Sequence, residues 1–317
     1  MAYILLIVGI VLILVGADKL TEGASSVAKK LNISDMVIGL TVVAFGTSMP
    51  ELVVSLFSAF NGSSELAIGN VVGSNIFNSL FIVGCTALVF PIVVQKRTLK
   101  RDIPFSILAS FVLLVLCSTT ILDGTQQNII TRSSGIILLC FFAIFMVYTF
   151  ATAHQTDTDD ESGNVVMMPM WKSTLFIVLG LLGLVFGGKI FVNEASAIAR
   201  SWGVSESVIG LTIVAMGTSL PELATSVVAA YKKNAAMAIG NVLGSNLFNI
   251  FFILGTSATV TPLAMGGITQ LDMYVLFGSS LLIWAVCFGD YKVRRSEGVF
   301  MALLYLAYTA YLVIQAV

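Results

Sequence analysis

Two glutamates stand inside strongly apolar sequence, Glu51 and Glu222. Each closes the same short run, as Gly46-Thr47-Ser48-Met49-Pro50-Glu51 and as Gly217-Thr218-Ser219-Leu220-Pro221-Glu222. A charged side chain deep in hydrocarbon is costly and usually functional. Proline at 50 removes a backbone donor and obstructs the carbonyl four residues back, at Gly46. A helix is expected to break or kink there, freeing backbone carbonyls near Ala44 to Thr47. Pro221 and Gly217 repeat the arrangement. Carboxylate and carbonyl oxygens are hard ligands, suited to calcium and sodium. Such irregular backbone is tolerated in a membrane only where protein or a polar cavity covers it.

Helical spacing then gathers more oxygens. Thr41, Ser48, Glu51 and Ser55 share one face, and Asn70, Ser74 and Asn78 are four apart. The second set is Thr212, Ser219, Glu222 and Ser226, then Asn241, Ser245 and Asn249. Together they predict an oxygen cage of two carboxylates, hydroxyls, amides and free carbonyls near the midplane. Without thiolate or imidazole, that donor set argues against zinc, copper and iron. Two ionised carboxylates carry two negative charges, which one calcium ion, two sodium ions or two protons neutralise. An empty site leaves both charges in a low-dielectric setting, which is costly. That penalty hinders movement of the empty carrier and favours exchange over uniport. Gly69, Gly73, Asn75 and Asn246 fit two roles equally, site construction and close helix packing.

The elements that must hold this cage are read from the whole chain. The stretch from Val37 to Asn78 recurs at Val208 to Asn249, with 25 of 42 positions identical and no gap. The chain is 57% apolar and 10% charged, with a mean hydropathy of +0.99. Soluble domains carry about 25% charged residues. Apolar runs near the length needed to cross a bilayer recur throughout, and they do not alternate as barrel strands do. The fold class is therefore an all-α polytopic membrane protein. Ten transmembrane helices are expected, near 3–27, 36–60, 66–93, 102–121, 131–153, 172–198, 207–230, 237–262, 271–289 and 298–316. Residues 1–153 form one five-helix repeat and 172–317 the other, joined by an acidic linker, 154–171. The linker holds Asp157, Asp159, Asp160 and Glu161 but lacks the ligand spacing of an EF-hand loop. Five is odd, so the two repeats enter the membrane in opposite senses and form an inverted pair.

Basic residues set the orientation. Lys29, Lys30, Lys96, Arg97, Lys100, Arg101, Lys172, Lys232, Lys233, Lys292, Arg294 and Arg295 fall in loops of one side, and Arg132 and Arg200 on the other. The first side is expected to be cytoplasmic, with both termini outside. Asp18, Lys19, Glu22, Lys189 and Glu194 lie toward helix ends, where snorkelling or local ion pairs suffice. Cys85, Cys117, Cys140 and Cys287 sit in apolar segments without C-x-x-C spacing and read as buried free thiols. The one histidine, His154, lies in the polar linker. An ion channel uses similar ligands but is usually built around an axis of identical subunits. An intramembrane enzyme would leave the helix breaks and paired hydroxyls without a task, so the chain is not read as an enzyme.

At these residues the sequence resembles the cation/calcium exchanger superfamily, in particular the prokaryotic sodium/calcium exchangers. The two G-T-S-x-P-E cores, with their following G-N-x-x-G-S-N-x-F-N segments, look like that family's paired α-repeats. The resemblance implies secondary active antiport of calcium against sodium by alternating access. It implies that the first and sixth helices slide past a compact core. Glu51 and Glu222 become shared ligands of both ions, and the carbonyls of Thr47 and Thr218 complete the calcium site. Ser48, Ser219, Ser74 and Ser245, with the carbonyls of Ala44 and Ala215, become sodium ligands. Asn78 and Asn249 complete the centre. Asn249 departs from several relatives that carry Asp there, which argues against potassium co-transport. Proton/calcium antiporters share the superfamily and the paired Glu, and are the alternative. No cofactor is implied beyond the transported calcium and sodium. The expected partners are these ions and the lipid bilayer, with no nucleic acid and no obligate protein partner. The implied location is the inner membrane of a prokaryotic cell.

Overall fold

The computed structural model describes residues 2–153, 167–203 and 215–316. The expected roles of Thr212, of His154 and of the linker acids Asp157, Asp159, Asp160 and Glu161 lie outside the described residues.

Helix α1 runs Ala2–Leu31. Ser34 caps the next segment by accepting from the Val37 N–H. That segment, α2 (Asp35–Thr47), meets α3 (Met49–Phe60) at a bend of 49°. The bend falls at Ser48, one residue before the Met-Pro pair, so the proline breaks the helix as its chemistry requires. Pro50 also starts α3, where its missing N–H costs nothing. Helix α4 covers Ser64–Val89, and strand β1, Ile92–Val93, follows. Helices α5 (Ile103–Leu116) and α6 (Thr119–Leu122) precede strand β2, Ile129–Ile130, and helix α7, Arg132–Ala151.

The remaining residues give α8 (Met170–Ser201), a short α9 (Ala215–Gly217), α10 (Leu220–Tyr231) and α11 (Ala235–Val260). Then come β3 (Leu263–Ala264), α12 (Gln270–Cys287), β4 (Lys292–Val293) and α13 (Arg295–Ala316). Among the described residues seven helices are long and apolar enough to cross a membrane, and α2 with α3 makes an eighth if counted as one bent span.

An all-helical chain was the expectation, and it needs one addition. Two short antiparallel pairs occur, β1 with β4 (Ile92 opposite Val293) and β2 with β3 (Ile129 opposite Ala264). Each pair joins a segment before residue 154 to one after residue 171. The fourth expected helix also ends early, since Cys117 and Ser118 interrupt it before α6.

The core lies between α4 and α11, which are mostly buried, whereas α1, α7, α8 and α13 expose most of their apolar side chains. Exposed Ile4, Ile7, Leu14, Leu179, Phe186 and Leu303 form the kind of surface that hydrocarbon covers. Two glycine rows let α1 and α8 touch along their length, running antiparallel. A Cβ on Gly16 would sit 2.8 Å from the Gly180 carbonyl, and one on Gly187 2.9 Å from the Gly9 carbonyl. The pairing continues from Gly23 to Ser173. In lipid such close backbone approach replaces the hydrophobic drive that water would supply.

Candidate ion-binding site

The α2–α3 break and its counterpart between α9 and α10 have nearly the same dihedrals at their central serine, although the Ser48 N–H reaches Ala44 and the Ser219 N–H reaches Met216. Ser48 has φ −83° and ψ 8°, and Ser219 has φ −90° and ψ 8°. Both occupy the sparsely populated bridge region, where active-site residues are common. The Ser48 N–H reaches the Ala44 carbonyl and the Leu52 N–H reaches the Ser48 carbonyl, so the ladder is interrupted between them. The Ala44 carbonyl was expected to be free. It accepts from both the Ser48 N–H and the Thr47 hydroxyl.

Each break donates to the other copy's glutamate. The Ser48 hydroxyl donates to Glu222 Oε1 at 2.8 Å, and the Ser219 hydroxyl donates to Glu51 Oε1 at 2.9 Å. Each carboxylate is thus one turn of helix from the residue that binds its counterpart. Ser245 adds a longer contact to Glu222 Oε1 at 3.4 Å. Glu51 and Glu222 are both completely buried, and no ion pair with either is present among the described residues.

A second layer crosses in the same way. The Thr47 hydroxyl donates to Asn241 Oδ1 at 3.2 Å, and the Thr218 hydroxyl to Asn70 Oδ1 at 3.5 Å. Asn70 Nδ2 donates to the Glu51 carbonyl and to Ser55 Oγ, and Asn241 Nδ2 donates to the Glu222 carbonyl and Ser226 Oγ. These two asparagines hold the polypeptide at the break rather than facing the carboxylate oxygens. That role was hidden in the sequence, where spacing put them on the same face as Ser74 and Asn78.

Asn78 and Asn249 come from wide π-type turns, Phe77–Ile82 in α4 and Phe248–Leu254 in α11. Turns of that kind are frequent at functional sites. Five buried oxygens on the expected site residues have no hydrogen-bond partner: Glu51 Oε2, Glu222 Oε2, Asn78 Oδ1, Asn249 Oδ1 and Ser74 Oγ. Buried polar atoms are nearly always paired, so a group of orphaned acceptors demands a physical reason. Ala215 begins α9, and nothing is described of the residues just before it.

Outside the centre, Asp18, Lys19 and Glu22 of α1 are paired. Lys19 reaches Asp18 and Glu22, and Lys232 reaches Asp18 at 2.6 Å. The four cysteines are unbridged, but burial was expected of all four and holds for Cys117 and Cys287; Cys85 is half-buried and Cys140 is exposed on α7, whose apolar side chains mostly face outward.

A helical membrane protein with crossed helix breaks and paired buried carboxylates belongs to the class of ion transporters, not enzymes. The particular family is also shown. The chain belongs to the sodium/calcium exchanger protein family, whose model matches residues 1–151 and 172–314. It is 31% identical to the sodium/calcium exchanger MaX1 of Methanosarcina acetivorans, covering 96% of this chain and 97% of that one. It is 34% identical to the inner membrane protein YrbG of Escherichia coli strain K12, covering 83% and 81%. A solved structure of the sodium-calcium exchanger NCX_Mj, soaked with sodium and calcium, superposes with a TM-score of 0.83 at 30% identity, covering 98% and 97%. The chain is therefore a multi-pass membrane protein of the antiporter type.

Proposed function

We propose that this chain exchanges calcium for sodium by alternating access, through a site centred on Glu51 and Glu222. The observation that supports the reading is that five oxygens of the expected site residues are buried without a hydrogen-bond partner, one on each of two fully buried carboxylates that form no ion pair among the described residues. Leaving buried acceptors unmatched costs about 1–3 kcal/mol each, and more for charged groups. A cation between them offsets that cost. Calcium takes six to eight oxygens in flexible geometry, and carboxylate, amide and hydroxyl oxygens from both repeat copies supply this donor chemistry.

In this reading Glu51 and Glu222 bind both ions, with the carbonyls of Thr47 and Thr218 completing the calcium shell. Ser48, Ser219, Ser74 and Ser245, with the carbonyls of Ala44 and Ala215, hold sodium. Asn78 and Asn249 supply amide oxygens. The Ala44 carbonyl would take sodium in exchange for the Thr47 hydroxyl, since its two lone pairs both accept hydrogen bonds here. One calcium balances the two carboxylates, and so do two sodium ions. The empty carrier is penalised, which couples the two fluxes. Neutral Asn249 removes the extra charge that a further monovalent ion would need, so potassium is not required.

We further read the chain as ten spans in two inverted five-helix units, 1–153 and 172–317, joined by residues 154–171. The antiparallel course of α1 against α8 supports this, and so do the two strand pairs, each of which takes one strand from either unit. The glycine seam between α1 and α8 presents few side-chain obstacles to sliding. An inner-membrane location, with both termini outside, completes the reading.

The test is calcium-45 uptake into proteoliposomes without potassium, driven by an outward sodium gradient or by an outward proton gradient. Uptake with sodium alone is expected. Uptake with protons alone would transfer the chain to proton/calcium exchange and leave the site intact.

A further inference from the structure

The site proposed above uses Asn78 and Asn249 through their amide oxygens. An asparagine amide is nearly symmetric in shape, and a half-turn of it would present an NH2 group to a cation instead of an oxygen. Something must choose the orientation. Three buried side chains and one backbone carbonyl behind the site make that choice.

Asn249 Nδ2 donates to Asn75 Oδ1 at 2.9 Å, and Asn78 Nδ2 donates to Asn246 Oδ1 at 3.1 Å. In both cases the amide nitrogen is held away, and the oxygen on the other side is left without a partner. Asn75 is fixed in turn because its Nδ2 donates to the backbone carbonyl of Asn246 at 3.2 Å. A backbone carbonyl only accepts, so it cannot tolerate the reversed amide. Asn246 is oriented by donating from Nδ2 to Ser79 Oγ at 2.9 Å. All five residues are at most 2% exposed. The direction of the Asn249 arm is thus set by a carbonyl, and that of the Asn78 arm follows the hydroxyl on which it ends.

We infer that Asn75 and Asn246 are positioning residues that lock the Asn249 and Asn78 amides with oxygen toward the transported cation, each acting across the boundary between the two repeat copies. This rests on the ligand reading of Asn78 and Asn249. The two arms differ in strength. The Asn249 arm ends on a carbonyl, which has one hydrogen-bonding role. The Asn78 arm ends on a serine hydroxyl, which both donates and accepts, so it resists reversal less.

Changing groups behind a metal ligand typically lowers metal affinity about 10- to 100-fold. Asn75→Leu and Asn246→Leu are expected to raise the calcium concentration for half-maximal sodium-driven uptake by about that factor, while the purified proteins remain monodisperse. A carboxylate has oxygen at both ends and needs no orienting partner. Asn249→Asp should therefore remove most of the Asn75→Leu penalty and leave the Asn246→Leu penalty in place. Asn78→Asp should do the reverse. This crossed rescue is what loss of packing would not produce. If the leucine variants do not fold, Asn75→Ser and Asn246→Ser, whose hydroxyls are too short to bridge the gap, carry the same expectation.

The controls Asn78→Ala and Asn249→Ala separate the two readings. Unchanged calcium affinity in both overturns the ligand reading. Weakened affinity in these, with no penalty at 75 and 246 or with rescue that does not follow the crossed pattern, overturns the positioning inference alone.

Discussion

At the scale of single residues, each of the two glutamates combines complete burial with a carboxylate oxygen that has nothing to accept. Glu51→Gln and Glu222→Gln keep shape and remove charge. Each is expected to abolish calcium uptake while leaving the protein folded. Without ions, removing an uncompensated buried charge should maintain or raise the unfolding temperature. The stabilisation that calcium gives the parent protein by mass action should shrink. Thermal unfolding with and without calcium checks both, and robust calcium transport by both variants would sink the assignment. Asn249→Asp adds a third negative group at an otherwise neutral amide. It should raise affinity for monovalent ions or introduce dependence on pH or potassium, measured as the ion dependence of uptake. The pairing of Glu, Ser and Pro was legible because it recurs at fixed spacing in both copies. The partner of each serine was not. Spacing places Ser48 and Glu51 on one helix, whereas Ser48 bonds Glu222, 174 residues away. The tasks of Asn75 and Asn246 were equally hidden, since an asparagine in a Gly-Ser-Asn run suits a helix contact as well as a polar network.

At the scale of elements, the breaks at Ser48 and Ser219 followed from Gly-x-x-x-Pro, because proline chemistry acts within one turn. The wide turns at Gly39–Val43, Phe77–Ile82 and Phe248–Leu254 carry no such local mark. They arise where buried polar groups and tight helix contacts re-register the ladder, a tertiary demand. The two-residue strands were illegible for a similar reason: Ile92–Val93 and Leu263–Ala264 look like apolar helix ends until a partner strand appears. Glycine contacts give a sharp test of element packing. A Cβ at Gly244 would lie 2.6 Å from the Ala44 Cβ and 2.7 Å from the Leu40 carbonyl. At Gly16 the clash is with the backbone of α8, at Gly180 and Leu184. Backbone cannot swing aside as a side chain does. Gly244→Ala and Gly16→Ala are each expected to cost about 1–3 kcal/mol, seen as a lower unfolding temperature in detergent. Gly244→Ala should also slow transport, because α2 would be pushed beside the break that carries Ser48. Unchanged stability in both variants would contradict the close helix approach.

At the scale of the whole molecule, strand pairing and charge bear on sidedness together. Paired strands must lie at one face of the membrane. The face bearing β1 and β4 also holds Lys96, Arg97, Arg294 and Arg295, while the face bearing β2 and β3 holds Arg132. Basic loops tend to stay in the cytoplasm, so β1 and β4 are expected inside. The experiment begins with a variant lacking the four free cysteines. A single cysteine is then placed at Gln127 or at Lys292, both exposed. A membrane-impermeant maleimide should label the Gln127 variant in intact cells and the Lys292 variant only after permeabilisation. The reverse pattern would invert the protein without disturbing its site. Labelling of both from one side would break the ten-span count and with it the opposed orientation of the repeats. That orientation matters for transport. Two copies of one motif, entering from opposite faces, would present similar helix breaks toward either side of the membrane. The crossed serine–glutamate bonds would then let one pair of carboxylates be approached from outside in one arrangement and from inside in the other.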